Sequence, residues 1–313
     1  MTAINGWHDV LKGIDSTVLD CVYVNLAVLA DTHHGAGTYL RLGSAPRFSW
    51  VARPDGLPTV EPTLGQRLER VPDALGLSVS ARWSNVAAAS LLAIARDCRP
   101  DALLVVGDAA ALAWTPYYGQ QSVEHSFLLS SPAPSDEFWL VDAYHNDTQW
   151  GPARPAATRL DGRALRQALG SAAFDVLRLE PAALPPISAR SALAATREHF
   201  EAPDMEPATR GYVQAYRDSP QPRALAQLTL ETWLLARERQ SHARWLAGAG
   251  PRVPPAVRRS AELHASSWSG LAEHVYIGLH RARRGRPAPP DLYDRLADLL
   301  RRDAVLAGQL DPA

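Results

Sequence analysis

Cys21, His125 and Asp142 are the residues of this 313-residue chain whose types and surroundings suit covalent chemistry. Cys21 opens an apolar stretch, "DCVYVNLAVLADTHHG", in which Val22, Leu26 and Leu29 recur at helical spacing. A thiol at a helix start faces unpaired backbone N–H groups and the positive end of the helix dipole. Both favour the thiolate, and the same N–H groups can hold a developing oxyanion. Position alone is not chemistry, because cysteines on apolar helices are commonly inert packing. A cysteine nucleophile also needs a base, and the base needs a group that orients it.

Two strand-like runs supply both. "EHSFLLSS" and "EFWLVDAY" flank "PAPSD", a turn cluster that predicts an antiparallel hairpin. A turn centred between Ala133 and Pro134 pairs His125 with Asp142, Phe127 with Leu140, and Leu129 with Phe138. Directly opposed Cβ atoms stand ~4.5 to 5.5 Å apart, close enough for a carboxylate to set the imidazole tautomer. The expected site is a Cys21, His125, Asp142 triad above an apolar floor.

Other elements must carry these groups. A helix is predicted over 20–32, terminated by "HHGAG", and a second one after Ser84 as N-cap in "SNVAAASLLAIARDC", with Cys98 in its last turn. "DALLVVGD" reads as a buried strand. Beyond "PAALPPISARSAL" the pattern turns helical, with helices expected near 189–201, 206–218, 222–247, 255–283 and 290–308. Pro207, Pro222, Pro255 and Pro290 stand near the starts of four of them, where a missing N–H costs nothing. The expectation is an α+β chain cut at Pro185 and Pro186: a mixed domain over 1–186 and a helical bundle over 187–313.

Composition narrows the function classes. With 32 basic and 33 acidic residues the chain has no global field to draw it to nucleic acid or an anionic membrane. No apolar run approaches the ~20 residues of a bilayer span, and "MTAINGWHDVLKG" lacks a secretory signal pattern, so a cytoplasmic location is expected. Cys21 and Cys98 are expected to be free thiols, since neither has zinc-ligand spacing. "DTHHG" (Asp31, His33, His34) and "YHND" (His145, Asp147) match no ligand pattern, so neither a metal nor another cofactor is expected.

"DCVYVNLAVLADTHHG", "DALLVVGDAAALAWTPYYGQQSVEHSFLLSS" and "FWLVDAY" resemble the butirosin biosynthesis protein H family and, more distantly, bacteriocin-processing cysteine peptidases. The resemblance implies a papain-like cysteine peptidase fold, an N-terminal helix plus antiparallel sheet, followed by an all-α C-terminal domain. It implies Cys21 as nucleophile, His125 as base and acid, and Asp142 as orienting group. It also implies an acyl carrier protein or other thioester donor, with a small-molecule amine as acceptor. Two positions depart from the family pattern: "DC" stands where "HC" is common, and the peptidases' upstream Gln has no counterpart.

Asp108 ends the buried strand and leads into "AAALAWTPYYG", which is expected to bring Trp114, Tyr117 and Tyr118 over the nucleophile as an acyl or acceptor wall. Packing at a domain interface is the competing role for these aromatics. Arg281, Arg283, Arg284 and Arg286 are expected to complement the negative end of a long helix, with docking of an acidic carrier protein as the alternative. The functional expectation is a cysteine-dependent acyltransferase or cyclase. A peptidase, amidase or thioesterase on the same triad is one alternative, and a non-catalytic binding protein with a structural Cys21 is the other.

Overall fold

The computed structural model describes residues 6–132, 136–248 and 253–309. In chain order the elements are α1 (Trp7–Gly13), α2 (Cys21–His34), the short strands β1 (Val51–Ala52) and β2 (Pro58–Thr59), α3 (Leu64–Leu75), β3 (Leu77–Ala87), α4 (Ala88–Asp97) and β4 (Leu103–Asp108). There follow β5 (Glu124–Ser130), β6 (Glu137–Asp142), β7 (Asn146–Thr148), β8 (Gly151–Ala153), β9 (Ala156–Asp161), α5 (Gly162–Leu169) and β10 (Ala173–Pro181). Five helices close the chain: α6 (Ala189–Phe200), α7 (Met205–Arg217), α8 (Gln221–Gly248), α9 (Pro255–Ala282) and α10 (Leu292–Gln309). The protein is α+β, and no described helix is long and apolar enough to cross a membrane.

Two compact units result. One holds residues 1–39 and 64–185, the other 40–63 and 186–313. The single cut at 186 therefore misplaces 40–63, which clusters with the helical unit. The cause is a set of long-range bonds. Val60 N–H and the Thr59 hydroxyl donate to the Glu231 carboxylate at 2.6 and 2.8 Å, Tyr216 donates to the Pro58 carbonyl at 2.6 Å, and Phe48 and Leu57 are buried in the helical core.

The first unit is built on an antiparallel six-stranded sheet in the order β3-β10-β4-β5-β6-β9. Alternation divides its side chains between two layers. Val105, Phe127, Leu129, Phe138, Leu140, Phe174 and Val176 share a core with Leu91 and Leu92 of α4 and Leu165 and Leu169 of α5. Leu104, Leu128 and Leu177, one residue out of phase and fully buried, belong to the opposite face, and α2 packs across β4, β5 and β10.

Two expected elements differ from those observed. "SNVA" is the end of β3, not a helix start: α4 begins at Ala88 with Ala87 in the N-cap position and no side-chain cap bond. The eleven residues of β3 have a partner, β10, almost ninety residues away, and that pairing outweighs the local capping signal of Ser84. In the hairpin, Leu129 opposes Leu140 and Leu128 opposes Val141, a register two residues from that expected. The turn at Ala133 and Pro134 lies outside the described residues. A slip of two preserves face parity, so His125 and Asp142 remain on one side of the sheet as diagonal neighbours.

In the helical unit, Trp268, Leu271, Tyr212, Tyr216 and Leu228 lie at the centre of an apolar core. Beside it, Arg239 donates to both oxygens of Asp303 at 3.2 and 2.7 Å, and Asp303 also bonds His264 at 2.7 Å, all with side chains under a tenth exposed. Removing one partner from a buried pair strands the other charge in a low dielectric. Asp303→Ala is expected to lower unfolding free energy by about 3 to 5 kcal/mol in urea denaturation, and Asp303→Asn, which keeps an acceptor for Arg239, by less.

Candidate active site

Cys21 is the first residue of α2. Its helix is capped by Asp20, whose carboxylate accepts from Tyr23 N–H at 2.8 Å. The other Asp20 oxygen accepts from Arg67 Nε at 3.1 Å, and Arg67 also reaches Glu124 at 3.3 Å. Arg67 of α3 is 2 % exposed, so a buried guanidinium offsets the acidic residue that precedes the thiol. The "DC" departure thus has a local account: Asp20 serves as helix cap and as ion-pair partner.

One turn further along α2, the fully buried Asn25 ties the nucleophile end to the sheet. Its amide donates to the Cys21 carbonyl at 2.9 Å and to the Ser126 carbonyl at 2.8 Å, while its oxygen accepts from Ala143 N–H at 3.2 Å. Ser126 also donates its hydroxyl to the Cys21 carbonyl at 2.8 Å. These bonds place the Cys21 sulfur 3.6 Å from the carbonyl oxygen of Glu124, beside the start of β5.

The next residue, His125, brings its ring to the same point. Its Nε2 lies 2.8 Å from Asp142 Oδ2, and since an ionised carboxylate only accepts, Nε2 carries a proton, so that in the neutral ring Nδ1 is the basic nitrogen. Asp142 Oδ2 also accepts from Trp114 Nε1 at 2.9 Å, and Oδ1 accepts from Tyr144 N–H at 3.0 Å. Burial by itself pushes the His125 pKa down. The Asp142 charge and hydrogen bond outweigh it, the Cys21 thiol adds a hydrogen bond and a charge contact in the same direction, and the ring is pushed up to about 10. Cys98 differs: it is buried at the end of α4 among apolar side chains, and burial pushes its thiol up.

His125 and Asp142 therefore bond directly, and the Cys21 sulfur contacts the carbonyl of the residue before His125, while the expected aromatics sit at the His125 and Asp142 end rather than over Cys21. Trp114 packs edge-on against Phe127 with its indole N–H committed to Asp142. Tyr117, with Trp114, Tyr144 and Arg154, lines a cleft of about 110 Å³ at the His125 and Asp142 end of the site. Cys21 does not line that cleft, and Tyr118 is 55 % exposed outside it. Asp108 is occupied in shaping the loop: it accepts from Ala110 N–H at 2.9 Å, Ser122 Oγ at 2.8 Å and Val123 N–H at 3.3 Å. The strand it ends is tight against its neighbour, since a Cβ on Gly107, the residue opposite His125, would lie 2.6 Å from the Phe174 ring.

Compared with known proteins, the chain matches no family profile and no curated protein. Its site is therefore read from its own atoms. Three of the five side chains discounted as metal ligands have structural partners: Asp31 accepts from Gly37 and Tyr39 N–H at 2.9 Å each, His34 bonds the Gly76 carbonyl at 2.8 Å, and Asp147 pairs with Arg154. Sequence reasoning missed Asn25, Arg67, Ser126 and the role of Trp114. Asn25 was detectable as a polar residue one turn after the cysteine in an apolar helix, and Arg67 as an arginine on the inward stripe of Leu64, Val71 and Leu75.

A raised histidine pKa links stability to pH. His125 contributes fully below its unfolded value of 6.5, and the contribution is lost as pH rises through about 10. Urea unfolding is expected to show a steeper loss of stability over that window in the wild type than in Asp142→Asn. Trp114→Phe keeps the edge contact with Phe127 but removes a donor from Asp142; it is expected to cost about 1 to 3 kcal/mol by the same measurement.

Proposed function

We propose that the first unit is a papain-like catalytic domain and that the chain is a cysteine-dependent acyltransferase or cyclase acting on a thioester. The observation that carries this reading is one buried imidazole bonded to Asp142 at 2.8 Å, directly after Glu124, whose carbonyl oxygen lies 3.6 Å from the Cys21 sulfur. An imidazole so placed can take the thiol proton and keep it, because Asp142 stabilises the imidazolium. A thiolate and imidazolium at a helix start form a nucleophile and an acid in one step.

The Cys21 thiolate attacks the thioester carbonyl, and the developing oxyanion is held by the unpaired Cys21 N–H at the first position of α2. Collapse expels the donor thiolate, which takes the proton from His125, and leaves an acyl-Cys21 ester of sulfur. In the second half His125 accepts a proton from the acceptor nucleophile as it attacks the acyl carbon, and Cys21 leaves as thiolate. The two sulfur leaving groups are nearly matched, so the first half is close to thermoneutral. The cleft beside His125, at about 110 Å³, has room for the nucleophilic end of a small acceptor and little more. Its walls of Trp114, Tyr117 and Tyr144 are aromatic, which disfavours water beside the His125 ring.

The donor would be a carrier-protein or coenzyme A-type thioester and the acceptor a small amine or an internal nucleophile. Incubation with an N-acetylcysteamine acyl thioester, followed by intact mass, is expected to show one acyl group on the wild type and none on Cys21→Ser. His125→Ala should slow acylation by ~100-fold or more. Acylation of His125→Ala at the wild-type rate would remove the triad assignment.

A further inference from the structure

Several arginines of the helical unit are paired with carboxylates. Arg210 pairs with Glu206, Arg217 with Asp294, Arg301 with Asp298 and Arg239 with Asp303. Arg281, Arg283, Arg284 and Arg286 are all exposed, none has a carboxylate partner among the described residues, and they are clustered within six positions of the chain. A helix end carries about half an elementary negative charge, so dipole complementation accounts for a fraction of one of these four cations.

Their arrangement is not a loose fringe. At the end of α9 the chain folds back through Gly285, which has φ +70°, and Arg286 N–H donates to the Arg281 carbonyl at 3.0 Å. Arg281 Nε donates to the Pro287 carbonyl at 3.0 Å, which holds its remaining guanidinium N–H groups beside the turn. Arg281, Arg284 and Arg286 thereby line one groove of about 380 Å³ with Tyr276, Ile277 and His280. Tyr276 and Ile277 are 45 % and 51 % exposed, and the Tyr276 ring meets the His280 ring edge-on at 4.4 Å. His280 Nε2 is buried and has no partner among the described residues.

We propose that this groove is a binding site for a small organic phosphate, with the phosphoryl group held by Arg281, Arg284 and Arg286 and the organic portion lying on Tyr276 and Ile277. Guanidinium forks match phosphate oxygens in pairs, and a phosphoryl group has enough acceptor oxygens for several forks at once, whereas a single carboxylate is filled by one. The volume falls in the range of small-ligand sites. A long polyanion fits less well, because Glu273 and Glu262 are also exposed on α9 and interrupt a basic track. The site is independent of the chemistry at Cys21.

Isothermal titration of the full chain at low salt tests it, with phenyl phosphate, inorganic phosphate, benzoate and a short thymidylate oligonucleotide as probes. Saturable binding of phenyl phosphate is expected, tighter than that of inorganic phosphate and of benzoate. The exposed pair Arg281→Gln with Arg284→Gln should weaken it at least about tenfold at unchanged circular dichroism. Ile277→Ser should weaken phenyl phosphate while leaving inorganic phosphate unaltered. The proposal is overturned by absence of saturable phenyl phosphate binding, by equal affinity in the double variant, by benzoate binding as tightly as phenyl phosphate, or by the oligonucleotide binding more tightly per phosphate.

Discussion

A buried carboxylate persists as an anion only when its lone pairs are filled, and Asp142 has three donors: the His125 ring, the Trp114 indole and the Tyr144 backbone. That saturation fixes which ring nitrogen of His125 faces the carboxylate. The loop after β4 is part of the same device. Asp108 folds it through three local bonds, and the folded loop delivers Trp114 to the carboxylate. The aromatic residue therefore acts on the orienting group, whatever its further contact with substrate.

The nucleophile arrives from the other side of the sheet. α2 packs on the face of Leu104, Leu128 and Leu177, while His125 belongs to the face of Phe127 and Leu129. The Cys21 sulfur reaches the Glu124 carbonyl at the start of β5, one residue before His125. Apolar packing by itself would tolerate a small slide of α2 along the sheet. The Asn25 and Ser126 bonds to the Cys21 carbonyl do not, because a shift of about an ångström would leave buried amide and carbonyl groups unpaired. Asp20 and Arg67 add a second tether to the same turn.

In the helical unit, buried polar groups play a comparable structural part. Glu231 holds the 40–63 segment against α8, and the Arg239, Asp303 and His264 cluster joins α8, α9 and α10. Each is satisfied by several partners, the condition under which buried charge specifies one arrangement of helices without leaving an orphan. The exposed arginines at and just beyond the end of α9, which have no carboxylate partner among the described residues, stand apart from that pattern.

Much of the architecture was legible from local signals. The apolar period of residues 20–32, the buried run before Asp108, the two strand runs around "PAPSD" and the five helices after Pro186 all depend on patterns within a dozen residues, and the elements observed match them to within two or three residues. His125 and Asp142 were legible as same-face residues because strand alternation survives a register slip of two. What local pattern could not supply was anything that depends on a distant partner: the pairing of β3 with β10 that overrides Ser84, the capture of 40–63 by Glu231, and the delivery of Trp114 to Asp142. The sequence by itself determined which residue types could act and on which elements they ride. Only the tertiary structure decided that the sulfur sits beside the start of β5, the strand that carries the imidazole, since that approach is set by contacts between residues about a hundred positions apart, whose strength no local period encodes.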